Sequence, residues 1–554
     1  MKKVIVLIVL FLANSWISSG QVNPGKPLEF HSWAKTPPMG WNSWDCFGPT
    51  VVESEVRANA DYMAANLKQF GWEYIVIDIR WYVDNDKAHG YNEKDPVFVM
   101  DEYGRFLPST VRFPSAANGA GFKPVADYIH SKGLKFGIHI MRGIPKEAVK
   151  RNTPVLGTRV KAADIYNTDN LCKWLKDMYT VDYRKEGAQE YYNSLFNLYA
   201  SWGVDFVKID DLSAPFYHQE EIEMIRKAID QSGRKIVLST SPGETPVENR
   251  DHIQSHANMW RIVNDLWDNW KQLEEEFAVC NRWSSHIGEG HFPDCDMLPL
   301  GHIGIRAERG NDRMSLLTKD EQITIMTLFS IFRSPLMFGG NLPDNDEFTL
   351  SLITNKEVLY VNQHSTENRQ LFSHEGKIAW TATDPATGDI FLALFNTSDQ
   401  EEEKGRDDWR ISVNLERLGM KGTCVVKDLW TGDNIGKFRG EFYQNIRPHA
   451  AGLYRITGAQ TLPSKKEIMD KMVLTNAYFM NKWPDTGKSI VTNRERPSNI
   501  WTRAVYYEGL MALYALNPDK AYYEYSVSWG EAHKWGLRDG IKTRNADNQC
   551  CGQT

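Results

Sequence analysis

One apolar run of the sequence ends in charged residues whose types suit covalent catalysis. Residues 206–209 read FVKI, and Asp210 and Asp211 follow them directly. Burying Lys208 and Asp210 at a strand end is unfavourable unless they pair, and pairing keeps the carboxylate ionised, as a nucleophile must be. We therefore predict that Asp210 is a catalytic nucleophile beside Lys208. Asp211 fits better as the N-cap of the following helix.

A second carboxyl follows another strand-like run. Residues 259–263 read MWRIV and contain Arg261, and Asp265 stands four residues after this arginine. Retaining hydrolysis of a glycosidic bond needs two carboxyls on opposite sides of the anomeric carbon, one ionised and one protonated. Asp265 is our prediction for the general acid/base, with Arg261 directing sugar hydroxyls. The spacing alone is more often that of an ion pair at the surface.

Two further aspartates could bind hydroxyl groups. Asp78 closes the apolar run at residues 74–77, and Asp296 lies in the segment DCDM at residues 294–297. A carboxylate that accepts hydrogen bonds from two adjacent hydroxyls is a common way to hold a sugar. Either residue could instead cap a helix.

These side chains need a scaffold that gathers several strand ends. Short apolar runs alternate with longer amphipathic runs between residues 37 and 340, which predicts about eight β-α units and a closed (β/α)8 barrel over residues 21–365. In such a barrel the active site lies at the carboxyl ends of the strands. An open doubly wound sheet is the alternative, although the chain has no glycine-rich dinucleotide loop.

The pattern changes twice after the barrel. Short strand-like runs separated by turn residues predict an antiparallel β-sandwich over residues 366–458, and a linker follows at residues 459–464. Residues 465–554 contain amphipathic helical runs and many aromatic residues. The segment is too short to form a closed core. We interpret them as the start of a truncated all-α domain.

Composition and the N-terminus restrict the possible functions. The net charge is −7 with no basic block, which argues against nucleic acid as a partner. The 19 Trp and 23 Tyr would suit sugar stacking or a large core. Residues 1–20 have the basic, apolar and small-residue regions of a signal peptide, which predicts export to the periplasm or the medium. No later segment is long enough for a membrane span, and the oligomeric state stays open.

The cysteines do not indicate a metal centre. The spacing of the seven cysteines fits no zinc pattern, and we predict neither a metal nor a cofactor. A disulfide among the first four, in an oxidising compartment, is compatible with the sequence, which does not assign the pairing. These four are Cys46, Cys172, Cys280 and Cys295.

Residues 33–458 resemble glycoside hydrolase family 27. The resemblance rests on six motifs in the family's order: PPMGWNSW at 37–44, YIVID at 74–78, FVKID at 206–210, Trp260-Arg261 with Asp265, DCDM at 294–297 and RSPLM at 333–337. It implies a retaining mechanism with Asp210 as nucleophile and Asp265 as acid/base. It also implies sugar-binding roles for one set of residues: Trp41, Asp78, Lys208, Arg261 and Asp296.

Three departures from the family pattern concern the substrate. Ile79 stands where a second Asp is usual, His139 where a Tyr is common, and Ser241 lies in a sequence that replaces Cys-Glu-Trp or Cys-Ser-Trp. The resemblance implies an exo-acting α-galactosidase-like enzyme. β-L-Arabinopyranose lacks the C6 group of galactose, so Ile79 favours a β-L-arabinopyranosidase as the alternative. Two more functions are possible. One is an α-N-acetylgalactosaminidase, which Ser241 supports, and the other is a catalytically silent carbohydrate-binding barrel.

The C-terminal segment resembles a different family. NIWTR at 499–503, YYEG at 506–509 and NADNQCCGQ at 545–553 are similar to the opening of glycoside hydrolase family 105, the unsaturated rhamnogalacturonyl hydrolases, whose fold is an (α/α)6 toroid. The resemblance implies that the general acid lies downstream of this segment, which is therefore expected to be inactive. The two resemblances together suggest pectin side chains as the substrate.

Overall fold

The computed structural model describes residues 28–399, 409–460, 465–491 and 494–549. The predicted signal peptide lies outside the described residues. No helix within the described ranges has the length and apolar character needed to cross a membrane.

A closed parallel barrel occupies the first part of the described chain. Its strands, within residues 28–399, are β1 (Met39–Asn42), β2 (Tyr74–Ile77), β3 (Lys135–Met141), β4 (Phe206–Asp210), β5 (Val237–Thr240), β6 (Met259–Arg261), β7 (in two pieces, Phe292–Asp294 and Met297–Leu298) and β8 (Leu336–Phe338). Neighbouring strands pair in parallel in this order, and β8 pairs with β1. The predicted (β/α)8 barrel is confirmed.

The seventh strand closes the barrel through an interruption. Its first piece, Phe292–Asp294, pairs with β6, and its second piece, Met297–Leu298, pairs with β8. Between the pieces lie Cys295 and Asp296, and Asp296 has the left-handed φ of 79° that Asp and Asn tolerate better than most residues. The barrel is therefore closed through this two-residue turn and not through an unbroken seventh strand.

Helices cover the outside of the barrel. They are α1 (Glu53–Tyr62), α2 (Lys123–Ser131), α3 (Ala188–Trp202), α4 (Gln219–Gln231), α5 (Arg250–Gln254), α6 (Trp270–Trp283), α7 (Lys319–Phe332), α8 (Glu347–Ile353) and α9 (Lys356–His364). On α4 the buried Ile222, Ile225 and Ile229 recur every three or four residues, which gives one apolar face toward the sheet. Further short helices, Trp44–Phe47, Lys146–Arg151 and Ala162–Ile165, lie in the loops.

Helix α7 is buried on almost all sides because it lies between the barrel and a β-sandwich. Thr324 of α7 donates a hydrogen bond from Oγ1 to the carbonyl of His449 (2.7 Å), and Trp430 Nε1 donates to Thr327 Oγ1 (2.9 Å). The sandwich strands are β9 (Thr366–His374), β10 (Lys377–Thr383), β11 (Ile390–Asn396), β12 (Arg410–Asn414), β13 (Met420–Asp428), β14 (Asn434–Arg439), β15 (Glu441–Asn445) and β16 (Ala451–Gln460).

The strands of the sandwich form two antiparallel sheets, as the short runs separated by turn residues predicted. The larger has the order β9-β10-β11-β16-β13-β14, and β12 pairs with β15. The predicted linker began at residue 459, but Ala459 and Gln460 pair with Lys421 and Met420 of β13 and continue β16. Residues 461–464 lie outside the described residues.

The C-terminal segment forms a compact unit of its own. It contains α10 (Lys465–Lys482), α11 (Trp501–Leu516), α12 (Lys520–Ala532) and α13 (Ala546–Gln549), with two short strands, Ile490–Val491 and Glu495–Arg496. Its apolar core is small and aromatic, with Tyr507, Tyr525 and Trp529 in contact. The helical character predicted for this segment is confirmed.

Deleting residues 464–554 is expected to leave the barrel and the sandwich stable. The chain divides into compact units at residue 460, and such boundaries are normally crossed by few stabilising contacts. Calorimetry should show a change in Tm of less than about 2 °C for the unit at residues 27–460. Deletion from residue 451 onward is the control, because it removes β16 from between β11 and β13. A fall of several degrees after the shorter deletion would contradict the prediction.

Candidate active site

The carboxyl ends of the barrel strands surround a pocket. Seven of the residues predicted from sequence line it: Asp78, Ile79, His139, Lys208, Asp210, Asp265 and Asp296. They come from the ends of β2, β3, β4 and β6 and from the turn inside β7, so residues far apart in sequence meet because parallel strands all end on one side of the barrel. Both proposed catalytic carboxyls lie in this pocket.

Asp210 is the last residue of β4 and is held by a hydroxyl group. Ser241 follows β5 and donates a hydrogen bond from Oγ to Asp210 Oδ1 (2.6 Å). The other carboxylate oxygen lies 3.9 Å from His139 Nε2. The Asp210 side chain remains 15 % exposed, toward the pocket. One oxygen is therefore fixed by the protein while the carboxylate stays accessible to a bound substrate.

A buried polar network lies beside Asp210. Asp78 Oδ1 contacts His139 Nδ1 (2.5 Å), and Asp78 Oδ2 accepts from Asn42 Nδ2 (2.8 Å) and lies 3.5 Å from Lys208 Nζ. Burial alone would raise the pKa of Asp78, but His139 and Lys208 outweigh it and hold this pKa well below its usual range. Burial lowers the pKa of Lys208, and Asp78 and Asp210 reverse the effect and raise it. Asp78 and Lys208 are therefore both charged.

Arg261, the last residue of β6, joins the second set of carboxyls. Its Nη1 lies 2.6 Å from Asp296 Oδ1, and its Nη2 lies 3.2 Å from Asp265 Oδ1. Asp296 also accepts a hydrogen bond from the backbone N–H of Leu266 (2.8 Å). The Asp265 side chain is 43 % exposed, whereas Arg261 and Asp296 are buried. Asp265 is thus the most exposed member of this set, and Asp296 also lines the pocket.

The two carboxyls that share Arg261 differ in their affinity for a proton. Burial raises the pKa of Asp296 to about 7, against the attraction of Arg261 and with added repulsion from Asp265. For Asp265, burial raises the pKa, but Arg261 and Lys208 lower it further than burial raises it. Asp296 is therefore the member of the pair that binds a proton more readily.

Three residues predicted to bind sugar do not line the pocket. Trp41 has no exposed surface and donates from Nε1 to the carbonyl of Gly340 (2.8 Å), because it lies within β1 in the barrel core. Ser241 is buried behind Asp210, and Arg261 behind Asp265 and Asp296. The structure thus gives Ser241 a contact to Asp210, and Arg261 contacts to Asp265 and Asp296, instead of surface in the pocket.

Other pocket residues were not predicted from the sequence. Most are aromatic or charged and lie in loops: Trp44, Asp45, Tyr91, Trp174, Trp267, Glu308 and Arg309. The Trp44 and Tyr91 rings pack with centroids 5.9 Å apart. Asp45 is buried, its Oδ2 has no hydrogen-bond partner, and burial and the repulsion of Asp296 raise its pKa well above the usual range. An aspartate three residues after β1, close to a strand end, was a usable sequence signal for Asp45.

Ile79 occupies the position that most affects the predicted specificity. It follows Asp78, donates its backbone N–H to Asp78 Oδ1 (2.9 Å) and lines the pocket with only 1 % of its surface exposed. An apolar side chain at this place offers no acceptor to a hydroxyl. A hydroxyl buried against it would lose its bond to water without a replacement.

The barrel and its carboxyl-lined pocket define a glycoside hydrolase. The family model described as Alpha galactosidase A matches residues 36–151 and 176–364, and the one described as Alpha galactosidase C-terminal beta sandwich domain matches residues 375–456. The chain belongs to this alpha-galactosidase family, glycoside hydrolase family 27, as the sequence motifs indicated. Residues 471–554 match Glycosyl Hydrolase Family 88, which confirms a second, hydrolase-like region after the sandwich.

Solved structures and curated relatives support the same assignment. A β-L-arabinopyranosidase of family 27 from Geobacillus stearothermophilus is 52% identical, with a TM-score of 0.75 over 78% of this chain and 99% of that chain. A candidate alpha-N-acetylgalactosaminidase from Bacillus halodurans is 49% identical, with a TM-score of 0.69 over 76% and 97%. Alpha-galactosidase 2 of Arabidopsis thaliana is 26% identical over 76% of this chain and 90% of its own length.

Proposed function

We propose that the enzyme is a retaining, exo-acting β-L-arabinopyranosidase. Ile79 carries the proposal, because it places an apolar side chain in a pocket whose other predicted sugar contacts are polar. A pyranose without a C6 hydroxymethyl group would fit beside Ile79 with no hydroxyl left unsatisfied. The 52% identity to a β-L-arabinopyranosidase supports the same choice. An α-galactosidase is the second candidate, supported by the names of curated relatives at 26–27% identity.

The pocket residues account for a double-displacement reaction. The Asp210 carboxylate attacks the anomeric carbon and forms a glycosyl ester, while Asp265 donates a proton to the departing glycosidic oxygen. Asp265 then removes a proton from water, which attacks the ester and releases the sugar with its original configuration. Lys208, charged and beside Asp78, places a positive charge near Asp210.

An α-N-acetylgalactosaminidase and a silent carbohydrate-binding barrel have weaker support. Ser241 was the residue that supported the α-N-acetylgalactosaminidase. Its hydroxyl donates a hydrogen bond to Asp210, and the residue does not line the pocket. A silent barrel would have no need for two accessible carboxyls with Lys208 and Arg261 beside them. We further propose that the enzyme is exported and removes terminal sugars from plant polysaccharide, with pectin side chains as the substrate.

Wild-type enzyme is expected to prefer p-nitrophenyl β-L-arabinopyranoside to the matching α-D-galactopyranoside. A buried hydroxyl without a partner costs about 1–3 kcal/mol, or roughly 5- to 150-fold in kcat/KM. Ile79→Asp supplies an acceptor for the 6-hydroxyl and should move the ratio of the two kcat/KM values toward the galactoside by a factor in this range.

Ile79→Val is the matched control, since it keeps the position apolar and should leave the ratio within about threefold of wild type. The two p-nitrophenyl glycosides and the α-N-acetylgalactosaminide should be assayed side by side. A wild type that prefers the galactoside, together with an unchanged ratio in Ile79→Asp, would refute the proposal and leave the α-galactosidase.

A further inference from the structure

Two cysteines meet directly behind the turn that carries Asp296. Cys280 lies on α6 and Cys295 in the interruption of β7, and their Sγ atoms are 3.3 Å apart. Neither has any exposed surface, and neither lines the pocket. The sequence left the pairing of the first four cysteines open. The fold brings these two together.

A buried carboxyl completes this cluster. Glu276 lies one helical turn before Cys280 on α6, is buried, and has an Oε2 atom without a hydrogen-bond partner. Donor atoms of Glu276, Cys280 and Cys295 lie within 4.8 Å of one another. Three such donors could in principle bind a metal ion, or the two thiols could join as a disulfide.

The geometry and the charges favour the disulfide. A structural zinc site has four ligands, and zinc–sulfur bonds of about 2.3 Å would keep two sulfurs roughly 3.8 Å apart, farther than the 3.3 Å found here. A metal would also require three anionic ligands, whereas burial raises the pKa of Glu276 and of both thiols. A disulfide is neutral and needs only the two sulfurs.

We propose that Cys280 and Cys295 form a disulfide bond that ties α6 to the Asp294–Asp296 turn. The sulfurs must approach by about 1.2 Å to reach the bonded distance of about 2.05 Å. Each thiol loses its hydrogen, one S–S bond forms, and two electrons and two protons pass to an external disulfide such as oxidised glutathione, which is cleaved to two thiols.

The bond should form while the chain folds. Burial raises the pKa of both thiols and excludes solvent, so little thiolate is available for exchange in the folded protein. The same burial then shields the finished disulfide from reductants.

The disulfide would stabilise the Asp294–Asp296 turn, which is otherwise held by hydrogen bonds and an ion pair. Cys295 donates its backbone N–H to Ser334 Oγ (3.0 Å), and Asp296 accepts from Leu266 N–H and pairs with Arg261. None of these contacts reaches α6. The disulfide adds a connection to α6 and closes a loop of about 15 residues, which restricts the unfolded chain.

The test is oxidative refolding of the full chain. Denatured, reduced wild-type protein is refolded either with reduced and oxidised glutathione or with dithiothreitol, and both samples are alkylated and mapped by mass spectrometry. After oxidative refolding we expect a peptide pair linked through Cys280 and Cys295, about 2 Da lighter than the sum of the reduced peptides. The Tm should be higher than in the reduced sample by about 3 °C.

Two variants separate this bond from other effects. Cys280→Ala should abolish the redox dependence of Tm, and Cys424→Ala, which changes another buried cysteine in the sandwich, should retain it. Peptide mapping of wild type decides the case even if a variant fails to fold. Alkylation of both residues after oxidative refolding, a linkage to a different cysteine, or one bound metal ion per chain by elemental analysis would each overturn the proposal.

Discussion

Replacing Asp210 with asparagine is expected to lower kcat by about a thousandfold or more without unfolding the protein. The amide has nearly the same shape and still accepts the hydrogen bond from Ser241, but it cannot form the glycosyl ester. The measurement is kcat on p-nitrophenyl β-L-arabinopyranoside and on the α-D-galactopyranoside, with Tm as the readout of folding. The loss should be similar on both substrates.

Asp127→Asn provides the control for Asp210→Asn. Asp127 pairs with Lys123 on the exposed face of α2, so the same chemical change there should leave kcat unaltered. Activity of Asp210→Asn within tenfold of wild type would show that another residue forms the covalent bond.

Replacing Asp265 with alanine is expected to affect substrates according to their leaving groups. A leaving group of high pKa needs the proton that Asp265 delivers, so its kcat/KM should fall by about 10²–10⁴-fold. An activated p-nitrophenolate leaves without this proton, so kcat/KM on that substrate should fall much less. The comparison needs an alkyl glycoside and an aryl glycoside of one sugar.

The second step of the reaction gives an independent check on Asp265. Without a general base the glycosyl ester reacts slowly with water, and azide, which needs no deprotonation, should accelerate turnover of the aryl glycoside by Asp265→Ala but not by wild type. Equal losses on both leaving groups and no effect of azide would assign the acid/base role to another carboxyl, and Glu308, also in the pocket, is the first to examine.

Much of the scaffold was predictable because its strands are continuous apolar runs. β2 through β5 are buried along nearly their whole length, and burial on both faces of a parallel sheet leaves that pattern in the sequence. Charged residues at the ends of such runs then stand out, which is how Asp78 and Asp210 were found. β7 was harder to predict, because its two pieces are only three and two residues long.

The pocket residues in loops were less predictable than those at the strand ends. Tyr91, Trp174 and Arg309 lie in loops without periodicity, and their position depends on how the loops pack rather than on local pattern. The roles of Trp41 and Ser241 also depended on three-dimensional detail. Both stand beside strand ends, yet Trp41 points into the core, and Ser241 toward the nucleophile.

The two-residue interruption of β7 links substrate binding to the integrity of the barrel. Three residue pairs join β7 to β6 and two join it to β8, and neither piece of the strand pairs with both neighbours. Separation of β7 from its neighbours would displace Asp296, which is one of the ion-pair partners of Arg261. We expect a sugar bound at Asp296 to bind the closed form better than a separated one and so to stabilise it by mass action. The barrel should then resist unfolding more strongly when the pocket is occupied.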